Sequence, residues 1–202
     1  MKYLGQWVNR EGAVFKNIDA CFTGSYAAYD ANKTYSMGLD LAKSMDFTVA
    51  YVIDTTSKAI VARERINGID WTKIADRVTD LYKKYRVRRV RLDSTGPGAV
   101  VADMLRHQQG LRVVDYTFTN KSVGQLVATL AREIEHNRII FPREDTQLMR
   151  ELKAFGRRVS KAGNVQYSAP EGSHDDCVYA AALACMEAKN SGSANITSYW
   201  DN

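Results

Sequence analysis

The stretch Thr34-Tyr-Ser-Met-Gly-Leu-Asp-Leu-Ala-Lys-Ser-Met-Asp-Phe-Thr-Val-Ala-Tyr-Val-Ile-Asp54 predicts a β-strand, a short turn and a second β-strand. Bulky apolar residues fill every second position from Tyr35 to Leu41, and small or polar residues lie between them. This period of two directs the bulky side chains to one face of a sheet. Asp40 then lies on the other face among small residues, where a buried carboxylate requires a cation or a hydrogen-bond donor. Alternatively, that face is exposed and Asp40 is an ordinary polar residue.

The composition indicates a globular chain that forms one domain with a proper core. It has 202 residues, of which 45% are hydrophobic and 25% are charged,. The net charge of +5 is compatible with a polyanionic partner,. Three cysteines without metal-ligand spacing favour a reducing compartment,. We find neither a secretory signal in the mixed, polar residues 1–10 nor an apolar run long enough to span a bilayer,.

The order of the predicted elements indicates a mixed α/β sheet. Residues 59–66 form a third strand, so the chain opens with a three-strand antiparallel meander,. Helices and strands then alternate: a helix capped by Asp70 and ending near Tyr85, a strand over 87–93, a helix over 99–108 and a strand over 111–117,. Later elements are helices over 122–137 and 145–155, a hairpin over 156–168, and a last helix that begins near Asp175,.

Further aspartates fall where α/β folds collect ligands, at a strand end and a helix N-terminus. Asp93 ends the fourth predicted strand, and Asp175 and Asp176 open the last helix. Clustered carboxylates need cations, and oxygen ligands without thiolates or imidazoles favour Mg²⁺ or Mn²⁺ over zinc. Two ions about 3.5–4 Å apart suit in-line attack at phosphorus. Simpler explanations are that Asp93 satisfies the turn after its strand and that Asp175 caps its helix.

Four short motifs in this order resemble the nuclease domain of the large terminase subunit of tailed bacteriophages. They are Gly38-Leu-Asp-Leu-Ala42, Asp46-Phe-Thr48, Arg91-Leu-Asp-Ser-Thr-Gly96 and Ser173-His-Asp-Asp176. The resemblance covers about residues 35–189 and extends, more distantly, to ribonuclease H and Holliday-junction resolvases. It implies a ribonuclease-H-like fold with an added β-hairpin. It also implies an endonuclease that uses two Mg²⁺ or Mn²⁺ ions to cut concatemeric double-stranded viral DNA during packaging.

The resemblance also implies a role for each aspartate. Asp40, Asp93 and Asp175 match the catalytic metal ligands of the family. Asp176 is an auxiliary ligand beside Asp175, and Asp46 matches an acid near the second metal. A transposase usually supplies a glutamate from its final helix, whereas this chain supplies Asp175 and Asp176. Two alternatives remain: a junction resolvase or transposase-like nuclease, and a non-catalytic DNA-binding module in which the aspartates are caps and turn formers.

A full large terminase subunit also carries an ATPase motor, but this sequence has no Gly-x-x-x-x-Gly-Lys-Ser/Thr loop,. We therefore expect residues 1–33 to be an arm from an absent ATPase domain, 34–189 the nuclease domain and 190–202 a flexible tail. The implied partners are double-stranded DNA, the small terminase subunit, the ATPase domain of the same subunit and the portal protein. The implied location is the host bacterial cytoplasm, outside the virion structure and away from membranes.

Basic residues near the predicted site are candidates for phosphate contacts. Lys121 lies near a helix start, and Arg157, Arg158 and Lys161 lie in or beside the predicted hairpin. Alternatively, each is an ordinary solvated charge. The denser arginine run over 86–91 is predicted to lie partly on a strand edge, where charge blocks edge pairing,.

Overall fold

The protein is described by a computed structural model that covers residues 13–41, 47–67, 70–159 and 165–193. Its strands are β1 (Tyr35–Asp40), β2 (Phe47–Asp54), β3 (Ile60–Asn67), β4 (Val90–Asp93), β5 (Val113–Tyr116), β6 (Gly156–Val159) and β7 (Val165–Ser168). Its helices are α1 (Ile18–Cys21), α2 (Trp71–Lys84), α3 (Pro97–Asp103), α4 (Asn120–Glu135), α5 (Thr146–Ala154) and α6 (Asp176–Ser193). A π-helical turn, Met104–Gln108, extends α3.

A five-stranded mixed sheet in the order β3-β2-β1-β4-β5 forms the centre of the fold. Strands β1, β2 and β3 pair antiparallel, whereas β4 pairs parallel with both β1 and β5. The predicted meander with added parallel strands is therefore confirmed. The prediction of a charged strand edge over 86–91 is wrong, because β4 lies inside the sheet. Arg89 and Arg91 instead pair with the buried carboxylate of Glu187 on α6, at 2.5 and 2.7 Å.

Strand β1 is buried along its whole length because both faces of the sheet are covered. Tyr35, Met37 and Leu39 pack in the core beneath α2 and α3, as the period of two predicts. The opposite face contacts α6 so closely that a Cβ on Gly38 would lie 2.3 Å from the carbonyl oxygen of Ala180. The alternative of a solvent-exposed face is wrong, since only 7% of Asp40 is exposed.

The helices form where caps and apolar stripes coincide in the sequence. The Asp70 side chain accepts a hydrogen bond from the Lys73 backbone and caps α2, as predicted,. Helix α4 begins with a capping box between Thr119 and Ser122,. Residues 177–188 of α6 are almost all buried, and more than half of them are alanine or cysteine with further apolar residues between, because this helix lies between the sheet and helices α4 and α5.

Residues 13–33 pack against the rest of the domain through several aromatic side chains. The Phe15 ring lies 5.5 Å from that of Phe155, and the Phe22 ring lies 5.0 Å from that of Phe141. The predicted boundary at residue 34 stays a prediction. Helix α6 continues through Ser193, and residues 194–202 of the predicted tail lie outside the described residues.

Strands β6 and β7 form the predicted hairpin as a separate antiparallel pair, with Arg157 opposite Tyr167. Residues 160–164, between these two strands, lie outside the described residues. No helix within the described ranges combines the length and the apolar character needed to cross a lipid bilayer.

Candidate active site

Asp40 and Asp93 end two adjacent parallel strands. Leu39 pairs with Leu92, so each aspartate follows its leucine at the same edge of the sheet. Neighbouring strands are about 4.8 Å apart, and the alternation places both carboxylates on the face that α6 covers. Asp40 is 7% exposed and Asp93 is 3% exposed. The sheet therefore brings two buried carboxylates together from positions that are far apart in the sequence.

The turn after β4 fixes the Asp93 carboxylate. One oxygen accepts hydrogen bonds from the Thr95 backbone N–H at 3.1 Å and from the Thr95 hydroxyl at 2.6 Å. The same oxygen accepts from the Phe118 N–H at 3.4 Å. A Cβ on Gly98 would lie 2.0 Å from the Asp93 carbonyl oxygen, so only glycine lets α3 begin here. Asp93 therefore does satisfy the turn after its strand, as the simpler explanation predicts. The same hydrogen bonds also fix the orientation of its carboxylate.

Asp175 and Asp176 lie at the start of α6. The Asp175 carbonyl accepts from the Tyr179 N–H at 3.1 Å, so this residue begins the helix. Its half-buried side chain accepts from the backbone N–H of Ala169 at 2.9 Å, immediately after β7. Asp176 is 7% exposed and accepts from the Phe47 N–H at 3.4 Å, where β2 starts. The Nδ1 atom of His174 lies 3.7 Å from the Asp176 carboxylate.

Tyr179 lies one turn into α6 and interacts with Asp175, Asp40 and Phe118. Burial raises the pKa of its hydroxyl above the usual range, and the negative charges of Asp175 and Asp40 raise this pKa further,. Its ring lies 5.3 Å from that of Phe118, whose N–H contacts Asp93. Four of the five predicted metal ligands lie in the described residues: Asp40, Asp93, Asp175 and Asp176. They therefore lie at one corner of the molecule, where the strand ends meet the start of α6.

The side chains at this corner fit a hard divalent cation, because they offer carboxylate oxygens as ligands. Three of these side chains, Asp40, Asp93 and Asp176, are less than one-tenth exposed. Within the described ranges, no three His, Cys, Asp or Glu side chains form a ready-made metal site. The carboxylates of Asp93, Asp175 and Asp176 each accept a hydrogen bond from a backbone N–H group. The remaining predicted ligand, Asp46, lies outside the described residues.

The predicted phosphate-binding residues lie on α4 and β6. Lys121 is exposed in the first turn of α4, and Arg157 is exposed on β6, while Arg158 is half-buried. Lys161 lies outside the described residues. Helix α4 contacts β7, so Lys121 and the hairpin arginines belong to neighbouring elements.

Several residues that shape this corner were not predicted from the sequence. Thr95 and the Phe118 backbone hold Asp93, and Tyr179 joins α6 to the hairpin by donating its hydroxyl proton to the Tyr167 carbonyl at 2.7 Å. The Arg65 guanidinium lies 3.2 Å from the centre of the Phe47 ring. The helical spacing of Asp176 and Tyr179, three residues apart, is the sequence signal that could have found Tyr179.

A family model described as the terminase RNaseH-like domain matches residues 37–188. The chain belongs to this family. It is similar to the large terminase subunit of Thermus virus P23-45, with 29% identity over 193 residues that cover 91% of this chain. It is also similar to the large terminase subunit of Thermus phage G20c, with 28% identity over 193 residues. The chain spans 39% of the length of these curated relatives.

Solved structures agree with the family assignment. The large terminase nuclease from thermophilic phage G20c superposes with a TM-score of 0.80 and 27% identity, covering 87% of this chain and 98% of that one. Structures of the same nuclease with bound magnesium and with bound cobalt each have a TM-score of 0.80 and 26% identity, covering 92% of this chain and 99% of theirs. The ribonuclease-H-like fold that the four motifs imply is therefore confirmed, and the chain is a homologue of large terminase nuclease domains.

Proposed function

We propose that this chain is a metal-dependent endonuclease that cuts concatemeric double-stranded viral DNA during genome packaging. The observation that carries the proposal is the meeting of the buried Asp40, Asp93 and Asp176 carboxylates at one corner of the sheet. The similarity to large terminase subunits supports the packaging context. By the same similarity, we assign the small terminase subunit, an ATPase domain and the portal protein as partners, and the host bacterial cytoplasm as the location.

In this proposal Asp40, Asp93 and Asp175 hold two Mg²⁺ or Mn²⁺ ions, with Asp46 and Asp176 as further ligands. Such ions activate a water molecule and stabilise the leaving oxygen of a phosphodiester. The similar nucleases with bound magnesium, cobalt and zinc support the use of a divalent cation. The chain's own part is to orient the ligands. The Thr95, Ala169 and Phe47 N–H groups do this by donating hydrogen bonds to the carboxylates of Asp93, Asp175 and Asp176, respectively.

Four basic residues bind the phosphates on either side of the cut in this proposal: Lys121, Arg157, Arg158 and Lys161. Contacts of this kind fix the position of DNA without reading its sequence. They also make binding weaker as the salt concentration rises. We therefore assign the duplex backbone, rather than a base sequence, as the main determinant of binding by this domain.

Nicking and linearisation of supercoiled plasmid test the proposal. We expect cutting with Mg²⁺ or Mn²⁺ and none with EDTA. Asp40→Asn, Asp93→Asn and Asp175→Asn should each reduce cutting by about a hundredfold or more, since each removes a charged ligand. Asp80→Asn is the matched control, because this exposed aspartate lies on α2 and leaves the corner intact.

Two results would reject this assignment. One is an unmodified chain that never cuts, and the other is a set of three folded variants that cut as fast as the unmodified chain. A marked preference for four-way junctions over linear duplex would instead favour the resolvase alternative. Melting curves for every variant show whether a loss of cutting reflects a loss of folding.

A further inference from the structure

A cleft of about 220 Å³ lies between the first turn of α4, strand β7 and helix α6. The residues that line it are Asn120, Val123, Val165, Gln166, Tyr167, Ser168 and Tyr179. None of them belongs to the carboxylate set or to the predicted phosphate-binding residues. Sites for drug-sized molecules have volumes of about 300–1,000 Å³, so this smaller cleft suits a single ring system.

The cleft borders the candidate active site directly. Tyr179 forms one wall, and its N–H is bonded to the Asp175 carbonyl one turn earlier at 3.1 Å. Ser168 forms another part of the wall, and the next residue, Ala169, donates its N–H to the Asp175 carboxylate. A group in the cleft would therefore be a close neighbour of a group bound at the carboxylates.

The lining combines ring faces with hydrogen-bonding edges. Tyr167 and Tyr179 supply aromatic rings, and the Tyr167 ring packs where Gly124 leaves α4 without a side chain. Asn120 lines the cleft at the start of α4 and carries an amide group that both donates and accepts,. This pairing of a stacking surface with a polar edge is the chemistry that recognises an unstacked nucleobase.

The charges around the cleft match a nucleic acid strand. Lys121 follows Asn120 at the start of α4, and Arg157 lies opposite Tyr167 in the hairpin; both are exposed. Cations on two sides of an aromatic cleft suit the phosphates that flank one base.

We propose that this cleft takes one unpaired base of the DNA strand next to the scissile phosphate. The inference rests on the proposed nuclease function and adds a second point of contact to it. Stacking is tolerant of sequence because every base has a π face, so the cleft selects for an unpaired base and not for a particular one. Extruding a base from a duplex costs a few kcal/mol, and it costs least where the strand is already single.

Binding of two oligonucleotides in EDTA tests the proposal without cleavage. One is an oligothymidylate of about twelve nucleotides, and the other is an abasic chain of the same length, with the same phosphates. We expect the unmodified chain to bind the oligothymidylate about tenfold more tightly in fluorescence anisotropy. Val123→Trp fills the cleft and should abolish this preference, whereas Gln125→Trp, on an exposed position of the same helix, should keep it.

Two further variants keep the test decisive if Val123→Trp does not fold. Tyr167→Leu retains an apolar contact with α4 but loses the ring, so the preference should fall. Lys121→Ala should weaken binding of both oligonucleotides equally, because it removes a phosphate contact. Equal affinity of the unmodified chain for both oligonucleotides, or a preference that survives Val123→Trp and Tyr167→Leu, would overturn the proposal.

The plasmid assay separates this inference from the proposed function. Metal-dependent cutting without any preference for bases would remove the cleft proposal and leave the nuclease in place. A preference for bases without cutting would remove the nuclease assignment and leave only a cleft that binds an unpaired base.

Discussion

Gly38 determines how closely the last helix approaches the sheet. A Cβ at this position would lie 2.2 Å from the Ala184 nitrogen and 2.3 Å from the Ala180 oxygen. Both are backbone atoms of α6, so no side chain can rotate to make room. Asp40 follows two residues later on the same face, and the start of α6 lies above it. The absence of one methyl group at residue 38 therefore sets the distance between two parts of the candidate site.

We expect Gly38→Ala to destabilise the protein by about 3 kcal/mol or more, since the added methyl must push α6 off the sheet. For a chain of this length, that corresponds to a fall in Tm of roughly 6–12 °C. Thermal unfolding measures this change, and the plasmid assay should show a parallel loss of cutting.

Gly124→Ala is the matched control for that substitution. A Cβ on Gly124 would meet only the edge of the Tyr167 ring, at 3.8 Å. Alanine in the first turns of a helix is favoured over glycine by up to about 1 kcal/mol, so Tm should stay constant or rise. If the two variants have similar Tm values, close packing at Gly38 is not what holds α6 in place.

The β6–β7 hairpin is connected to the candidate site by a small number of identified hydrogen bonds. Its return strand is held to α6 by two hydrogen bonds, one from the Tyr179 hydroxyl to the Tyr167 carbonyl and one from the Ala169 N–H to the Asp175 carboxylate. Within the described residues, neither β6 nor β7 pairs with a strand of the central sheet. The side chains of Tyr179 and Asp175 therefore connect the hairpin to the candidate site.

We expect Tyr179→Phe to loosen this attachment by about 1 kcal/mol, because it leaves the Tyr167 carbonyl without its donor,. Amide hydrogen exchange over 165–168 should become about fivefold faster, while exchange in the central sheet stays unchanged.

Tyr116→Phe removes a bond of the same kind and length elsewhere. The Tyr116 hydroxyl donates to the Ser122 carbonyl at 2.7 Å, in the first turn of α4. Its loss should speed exchange in α4 and leave 165–168 unaffected. An unchanged hairpin in Tyr179→Phe, or equal acceleration of the hairpin in both variants, would show that the hairpin is held by other contacts.

The elements differ in how well the sequence predicted them, and local signals explain the difference. Helix α2 was predicted well because its cap at Asp70 and its apolar stripe lie within one segment. The place of β4 inside the sheet was not predicted, because the partner of its arginines, Glu187, lies almost a hundred residues later. The aspartates of the candidate site could be predicted because they lie at strand ends and at a helix start, which the sequence indicates. Tyr179 and Phe118 could not, because their contacts with the site form only in the folded chain.

At the scale of the whole molecule, the corner with four aspartates is a concentration of negative charge in a chain of net charge +5. Three of these carboxylates are nearly inaccessible to solvent, so their mutual repulsion is weakly screened,. A divalent cation at the corner would relieve that repulsion and would bind the folded state alone.

We therefore expect Mg²⁺ to stabilise the protein against heat. At a concentration one hundred times its dissociation constant, a ligand adds about 2.7 kcal/mol, which is roughly 5–10 °C in Tm for a chain of this size. Asp40→Asn should reduce the shift with Mg²⁺, because it removes one candidate ligand of the cation. Scanning calorimetry with and without the metal measures this change.

Asp80→Asn again provides the control and should keep the full Mg²⁺ shift, since Asp80 is exposed on α2. A shift of equal size in Asp40→Asn and in the control would mean that the cation binds elsewhere.

The position of α6 in the chain has a consequence for synthesis. The seven strands of the described ranges all precede it, yet it covers the face of β1 that carries Asp40, and Asp175 and Asp176 lie at its start. A growing polypeptide therefore exposes an uncovered sheet face to the ribosome surface and to chaperones until residues beyond 176 emerge. Under the proposed function, a partly translated chain holds only some of the candidate metal ligands, so DNA cleavage is expected only when translation of the domain is almost complete.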